Sequence, residues 1–119
     1  MLIDLMTKEP ITKIPRKEKW DLVLKKLTKQ ELEAIKKELN DMIDGDEIHT
    51  AGWMPGSDWT NTPFEAIYVK AASKNQLLAA QLFGLIVWVV FMEREETWTS
   101  GRFEKNGEPI GSRTYFIVK

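Results

Sequence analysis

The run from Leu77 to Met92 constrains the fold of this chain more than any other segment. Its sixteen residues, LLAAQLFGLIVWVVFM, contain one polar side chain, that of Gln81, and no polar face at helical spacing. A helix that is apolar all round has to be covered on every side. We therefore expect this segment to form the central helix of the fold, covered either by the rest of the chain or by a second subunit.

A membrane span and a buried strand are the two alternatives to a buried helix for this run. Sixteen helical residues cover roughly 24 Å, whereas the hydrocarbon layer of a bilayer is roughly 30 Å thick. The segment 85–92 is rich in β-branched and aromatic residues, as buried strands are. However, Ser73 and Gln76 have the spacing of a capping box, and the run is longer than a usual strand. We predict a buried helix over 74–94.

The composition is typical of one globular domain spanning residues 1–119. The chain is 43% hydrophobic and 29% charged, and it lacks cysteine. A chain of this length buries roughly two-thirds of its unfolded surface without a disulfide or a structural metal. The absence of cysteine excludes thiol nucleophiles and cysteine-based zinc sites, and the N-terminal segment lacks the pattern of a secretory signal. We expect a soluble cytoplasmic protein without a cofactor.

The net charge of −1 hides two segments of opposite sign. Residues 13–29 carry seven cations against two carboxylates, a net of +5, and residues 31–47 carry two cations against seven carboxylates, a net of −5. Such segments can neutralise each other within a chain or between chains, although solvated helix faces are the interpretation that we favour. Because the overall surplus of Lys and Arg is absent, we expect neither nucleic acid nor a membrane as partner.

Two helices, over 15–27 and 29–44, are predicted ahead of the apolar run, and residues 1–14 form an extended arm. Thr28 and Glu31 have the spacing of a capping box at the start of the second helix. Each helix has one apolar face at helical spacing. The first face consists of Trp20, Val23, Leu24 and Leu27, and the second of Leu32, Ile35, Leu39, Met42 and Ile43. Gly45 then supplies a left-handed stop.

A short helix over 63–72 follows, with Thr62, Pro63 and Glu65 at the N-cap, N1 and N3 positions. Its apolar face is formed by Phe64, Ile67, Tyr68 and Ala71.

The C-terminal segment predicts a β-hairpin, because Asn106-Gly107 lies between two β-rich runs. We expect 98–105 to pair with 108–118, with an irregularity around Pro109 and Gly111. An isolated hairpin is marginal in water, so residues 47–53 are the candidate third strand. The fold class is therefore α+β: four helices, including one fully apolar central helix, packed on a small antiparallel sheet built around this hairpin.

The loop from Trp53 to Trp59, WMPGSDW, contains the candidate ligand-binding residues. Two tryptophans separated by Pro and Gly are costly to leave in a loop unless their rings pack on something. With Asp58 and Tyr68 they could wall a pocket for a small apolar or aromatic ligand. In the alternative that we favour, the tryptophans cover the core and Asp58 accepts backbone N–H bonds in an Asx turn.

His49 is the only histidine, which excludes multi-histidine metal sites. Its neighbours Asp44, Asp46 and Glu47 could complete a carboxylate–imidazole site for a hard metal. We favour an acidic helix terminus with a surface histidine and expect no metal.

The carboxylates of Glu93, Glu95 and Glu96 oppose the macrodipole at the end of the apolar helix. We expect them to form ion pairs with Arg94, Arg102 or Arg113.

The function expected from sequence is a non-enzymatic ligand-binding or protein-interaction module that self-associates as a homodimer. The dimer follows from an apolar helix in a small domain. The alternative is a small enzyme that uses Asp58 and His49, with Arg102 or Glu65, at the tryptophan loop. No paired nucleophile and base at interpretable spacing supports it, so no catalytic residue is assigned.

Overall fold

The chain folds into an α+β domain in which helices precede a small antiparallel sheet. The computed structural model describes residues 1–4, 6–44, 48–50, 59–101, 104–105, 108–109 and 114–118. The elements are α1 (Lys17–Lys26), α2 (Lys29–Ile43), β1 (Ile48–Thr50), a π-helix (Ile67–Ala71), α3 (Gln76–Glu93), β2 (Trp98–Gly101), β3 (Glu104–Lys105), β4 (Glu108–Pro109) and β5 (Thr114–Ile117). The predicted fold class is confirmed.

The boundary between α1 and α2 follows local sequence signals. The Thr28 hydroxyl accepts the Glu31 backbone N–H at 3.1 Å, and the Glu31 carboxylate accepts the Thr28 N–H at 2.9 Å. This is the predicted capping box. The prediction placed Leu24 on the buried face of α1, but this residue is 52% exposed. Gly45, the predicted helix stop, lies outside the described residues, and α2 ends at Ile43.

The π-helix replaces the predicted regular helix over 63–72. The Ala72 N–H donates to the Ile67 carbonyl, five residues back, at 2.9 Å. The predicted cap at its start is displaced: the Thr62 hydroxyl donates to the Trp59 carbonyl. The Glu65 carboxylate accepts the N–H of Asn61 rather than that of Thr62. Each hydrogen bond of a π-helix spans five residues instead of four, which widens the helix, and Ile67 and Ala71 remain buried.

The start of α3 also differs from its prediction. Ser73 is not the N-cap, because Ser73 and Lys74 both have positive φ, 50° and 66°, and form the turn after the π-helix. The chain becomes extended at Asn75, whose side-chain oxygen accepts the Leu78 N–H at 3.0 Å. An amide oxygen at that position satisfies one of the free N–H groups of the first turn.

The chain itself covers the C-terminal half of α3 more completely than its start. Between Leu82 and Phe91 every residue is buried except Gly84 and Trp88, which are half-buried. The helix has the length and composition of a membrane span, and half of it is buried inside the fold. The rest of the chain therefore supplies part of the covering that an apolar helix requires, chiefly between Leu82 and Phe91, and self-association stays a prediction.

The sheet has the strand order β1–β5–β2, and all pairs are antiparallel. Strands β3 and β4 pair separately and extend the hairpin, with Lys105 opposite Glu108. The predicted hairpin and the predicted third strand are both present, whereas Asn106-Gly107 and Gly111 lie outside the described residues. Two residues separate β2 from β3 and four separate β4 from β5, so the hairpin changes register between its two paired segments.

The first residues of the chain lie beside β2. Leu2 pairs with Trp98 in parallel, the Ile3 N–H donates to the Trp98 carbonyl at 2.8 Å, and the Trp98 N–H donates to the Met1 carbonyl at 2.8 Å. Leu2 is fully buried. The core surrounds α3: buried residues of α1, α2 and the π-helix belong to it, and on the side of the sheet the rings of Phe91 and Tyr115 stack with centroids 4.1 Å apart.

Candidate functional site

The candidate ligand-binding residues fall partly outside the described structure. Trp53 and Asp58 lie outside it, so their relation to Trp59 and Tyr68 is untested. Trp59 is half-buried, and its ring centroid lies 5.5 Å from that of Phe83 and 6.1 Å from that of Phe64. Tyr68 is half-buried on the π-helix. Trp59 thus packs on an aromatic cluster of the core, as expected of a residue that covers it.

A tight turn holds Trp59 in this position. Its carbonyl accepts both the Thr62 N–H, at 3.0 Å, and the Thr62 hydroxyl, at 2.6 Å. The Glu65 carboxylate accepts the N–H of Asn61, a residue with a positive φ of 62°. The turn is closed by these hydrogen bonds, which engage the Glu65 side chain named for the enzymatic alternative.

His49 is buried, which corrects the expectation of a surface histidine. The residue is 9% exposed, and Nε2 lies 3.1 Å from the carbonyl oxygen of Ile43. Its ring centroid lies 6.4 Å from that of Phe91 and 6.0 Å from that of Trp98. Because a carbonyl only accepts hydrogen bonds, we assign the proton to Nε2. That nitrogen therefore donates a hydrogen bond to the last carbonyl of α2.

No group of three or more His, Asp or Glu side chains able to hold a metal occurs within the described residues. Asp46 and Glu47, two of the carboxylates considered with His49, are not among those residues.

Arg94 organises the acidic end of α3. Its Nε and Nη2 donate to the two carboxylate oxygens of Glu96 at 3.0 and 2.8 Å. Nη2 also donates to Asp44 at 2.6 Å, and Nη1 donates to the side-chain oxygen of Asn40 at 2.7 Å. Hydrogen bonds from Arg94 lower the pKa of Glu96 from 4.5 to about 2. The expected ion pair between the terminal acids and Arg94 is present.

Two further contacts close this end of the molecule. Lys36 pairs with Glu93 at 3.1 Å, and the N-terminal ammonium of Met1 donates to the carbonyls of Arg94 and Glu96. Burial lowers the pKa of that ammonium. An open depression of about 380 Å³ lies here. The hydrogen bonds and ion pairs around it join α2 to the C-terminal end of α3. These groups therefore have a structural role. No local signal predicts Lys36 or Asn40, which lie more than fifty residues from their partners.

One face of α3 is less covered than the others: Leu77 and Ala80 on it are exposed, and Gln81, Gly84 and Trp88 are half-buried. Leu77 is 71% exposed, and a Cβ added at Gly84 would meet no atom within 4 Å. Helical spacing places the open positions on one side of the helix. We name this surface the exposed α3 face, and it consists of Leu77, Ala80, Gln81, Gly84 and Trp88.

The segment ahead of α1 and α1 itself border this face. The Lys19 ammonium donates to the side-chain oxygen of Gln81, and the indole N–H of Trp88 donates to the Lys13 carbonyl at 3.4 Å. Sequence reasoning did not identify this face, because a continuous apolar run does not show which of its sides the chain leaves uncovered.

No protein-family model, curated protein or solved structure matches this chain.

Proposed function

We propose that this protein is a non-enzymatic protein-interaction module whose binding surface is the exposed α3 face. The observation that carries the proposal is the exposure of Leu77 and Ala80 on a helix whose other apolar residues are buried or half-buried in the fold. Leu77 is 71% exposed and Ala80 is also exposed, and a Cβ added at Gly84 would meet no atom within 4 Å. Apolar surface in this setting favours a protein partner, because its burial releases water.

Of the groups considered for chemistry, the two that the structure describes, His49 and Glu65, have structural partners. The His49 nitrogen faces the Ile43 carbonyl, and the Glu65 carboxylate closes the turn at Asn61. A general base has to be free to take a proton from a substrate. These contacts favour a binding function over catalysis.

Small-ligand binding at Trp53, Asp58, Trp59 and Tyr68 stays a prediction, and so does cytoplasmic residence, which rests on composition. A second copy of the chain, as predicted from the sequence, is one protein that the exposed α3 face could bind.

Site-specific photo-crosslinking tests the proposal. A photoreactive phenylalanine derivative is placed at position 84, where an added Cβ would meet no atom within 4 Å, and the matched control carries the same group at position 34, exposed on α2. In cells that make this protein, we expect covalent adducts from position 84 and far fewer from position 34. Equal capture from both positions, or none from position 84, would refute the proposal. The adduct mass separates a second copy from another protein.

A further inference from the structure

We infer that two copies of this chain exchange their N-terminal segments, so that the segment of each copy pairs with β2 of the other. The inference goes beyond the interaction function proposed above, because it does not use the exposed α3 face. It is carried by a segment that is firmly bound to β2 and is joined to α1 through a strained connection.

The N-terminal residues are also bonded to one another. Within residues 1–4 and 6–11, which we name the docked arm, the Ile11 N–H donates to the Leu2 carbonyl at 2.7 Å. This bond joins the start of the docked arm to its end. The docked arm can therefore leave or enter the fold as one unit.

The docked arm is held beside β2 by groups that an identical segment would satisfy equally well. The Ile3 N–H and the Met1 carbonyl both bond to the backbone of Trp98 at 2.8 Å, and the Thr99 hydroxyl donates to the Ile3 carbonyl at 3.0 Å. Leu2 is fully buried in the core. Since a second copy carries the same segment, exchange keeps every one of these contacts.

The connection from the docked arm to α1 makes few contacts. Residues 12–16, which we name the hinge, are exposed except for Ile14, which is half-buried against the core. Within the described residues, one hydrogen bond joins the hinge to another element, from the Trp88 indole to the Lys13 carbonyl at 3.4 Å. The hinge is thus held less firmly than the docked arm that it connects.

The last residue of the hinge is strained. Arg16 has a φ of 51°, and in this left-handed region the Cβ of a residue other than glycine crowds the backbone. The conformation is disfavoured by a factor of roughly 5 to 30. Pro15 restricts Ile14 to an extended backbone, so the hinge favours a straight path up to the residue where the chain turns into α1.

Exchange relieves this strain at two hinges in each dimer. Once the hinge opens, Arg16 is free to leave the left-handed region, and strained short hinges favour exchange for this reason. Without strain, exchange would require a protein concentration near the effective concentration of the tethered arm, about 1 mM. Two relieved hinges contribute a factor of roughly 25 to 900. The expected dissociation constant is therefore roughly 1–40 µM.

Sedimentation of the whole protein tests the assembly. Samples are unfolded in urea and refolded at each concentration, so that slow opening of the hinge does not preserve the starting state. Between about 1 µM and 1 mM we expect the mass to rise from near 13.8 kDa towards twice that value. A mass near 13.8 kDa over the whole range overturns the inference.

Two substitutions at the hinge form a matched pair. Glycine adopts positive φ without the cost that other residues incur, so Arg16→Gly should raise the dissociation constant of the dimer by at least about tenfold. Arg16→Ala removes the same guanidinium but keeps a Cβ, and it should change the constant by less than about threefold. Equal effects of the two substitutions overturn the inference.

A disulfide shows whether the arms are exchanged. Leu2 pairs with Trp98 in parallel, and the same register places position 4 beside position 100. The natural chain has no cysteine, so Asp4→Cys and Ser100→Cys are made in separate chains, refolded together and oxidised. Adjacent strands lie about 4.8 Å apart, within the reach of a disulfide. We expect a disulfide between the two chains.

The matched control replaces Ser100→Cys by Ala34→Cys, at an exposed position on α2. It should give far less of the disulfide-linked pair, because the docked arm lies beside β2. Equal yields from the two mixtures overturn the exchange.

The remaining outcomes separate this inference from the proposed function. A dimer without the disulfide between positions 4 and 100 overturns the exchange, and adducts from position 84 would then identify the exposed α3 face as the contact between copies. If position 84 captures another protein while this chain stays a monomer, the interaction function stands and only the exchange is wrong.

Discussion

The imidazole Nε2 of His49 lies 3.1 Å from the carbonyl oxygen of Ile43. Ile43 is the last residue of α2, and the last four carbonyls of a helix lack partners within it. A buried side chain on β1 therefore supplies a hydrogen-bond donor at the end of the preceding helix and ties that helix to the sheet.

His49→Leu should lower the free energy of unfolding by about 1–3 kcal/mol, because it leaves the carbonyl without this donor. His49→Gln retains an N–H donor and should lose less. Urea denaturation of the two variants tests the role, and equal losses would show that the hydrogen bond contributes little.

Trp59→Ala should cost about 3–5 kcal/mol if the indole covers the core, the range for truncating a buried large aromatic residue. Its contacts with Phe64 and Phe83 favour that outcome. A loss nearer 1 kcal/mol would instead indicate a ring that lines an open pocket.

Asp58→Asn is measured alongside it. A loss of roughly 1–3 kcal/mol would indicate an aspartate that binds the loop backbone. Small losses in both variants would leave Trp53, Asp58, Trp59 and Tyr68 as the place to look for a bound molecule.

Gly84→Ala should raise the free energy of unfolding by about 0.5–1 kcal/mol, because alanine reduces the entropy cost of forming the helix. The added Cβ meets no atom within 4 Å, so no clash opposes the gain. Ala80→Gly, on the same exposed face, is the reciprocal control and should lose a similar amount. Destabilisation by Gly84→Ala in urea melts would show that position 84 is not open.

Acidification should remove part of the stability contributed by Arg94 and Glu96. The pKa of Glu96 is lowered from 4.5 to about 2 in the folded protein, so the folded state binds this proton less readily than the unfolded state. The contribution is present above about pH 4.5 and is lost as the pH falls towards 2. Glu96→Gln and Arg94→Gln should both flatten the pH dependence of the unfolding free energy in this window. If either variant kept the wild-type dependence of unfolding free energy on pH, the Arg94–Glu96 pair would not be its source.

The sequence by itself determined the features that depend on neighbouring residues. The capping box of Thr28 and Glu31 joins groups three residues apart, and the hairpin follows from a short turn between two β-rich runs. The α+β class and the central apolar helix are decided at this scale, because hydrophobic spacing and turn chemistry act over a few residues.

The tertiary structure alone decided which surfaces remain uncovered and which distant groups meet. Arg94 bonds Asn40 across 54 residues of chain, and Thr99 bonds Ile3 across 96. Leu24 matches its helix pattern and is exposed, while His49 lies among charged neighbours in the sequence and is buried. The exposed α3 face shows the same dependence, since nothing within an unbroken apolar run marks the side that packing leaves open. Burial depends on how complete elements pack against one another, and local spacing carries no information about that packing.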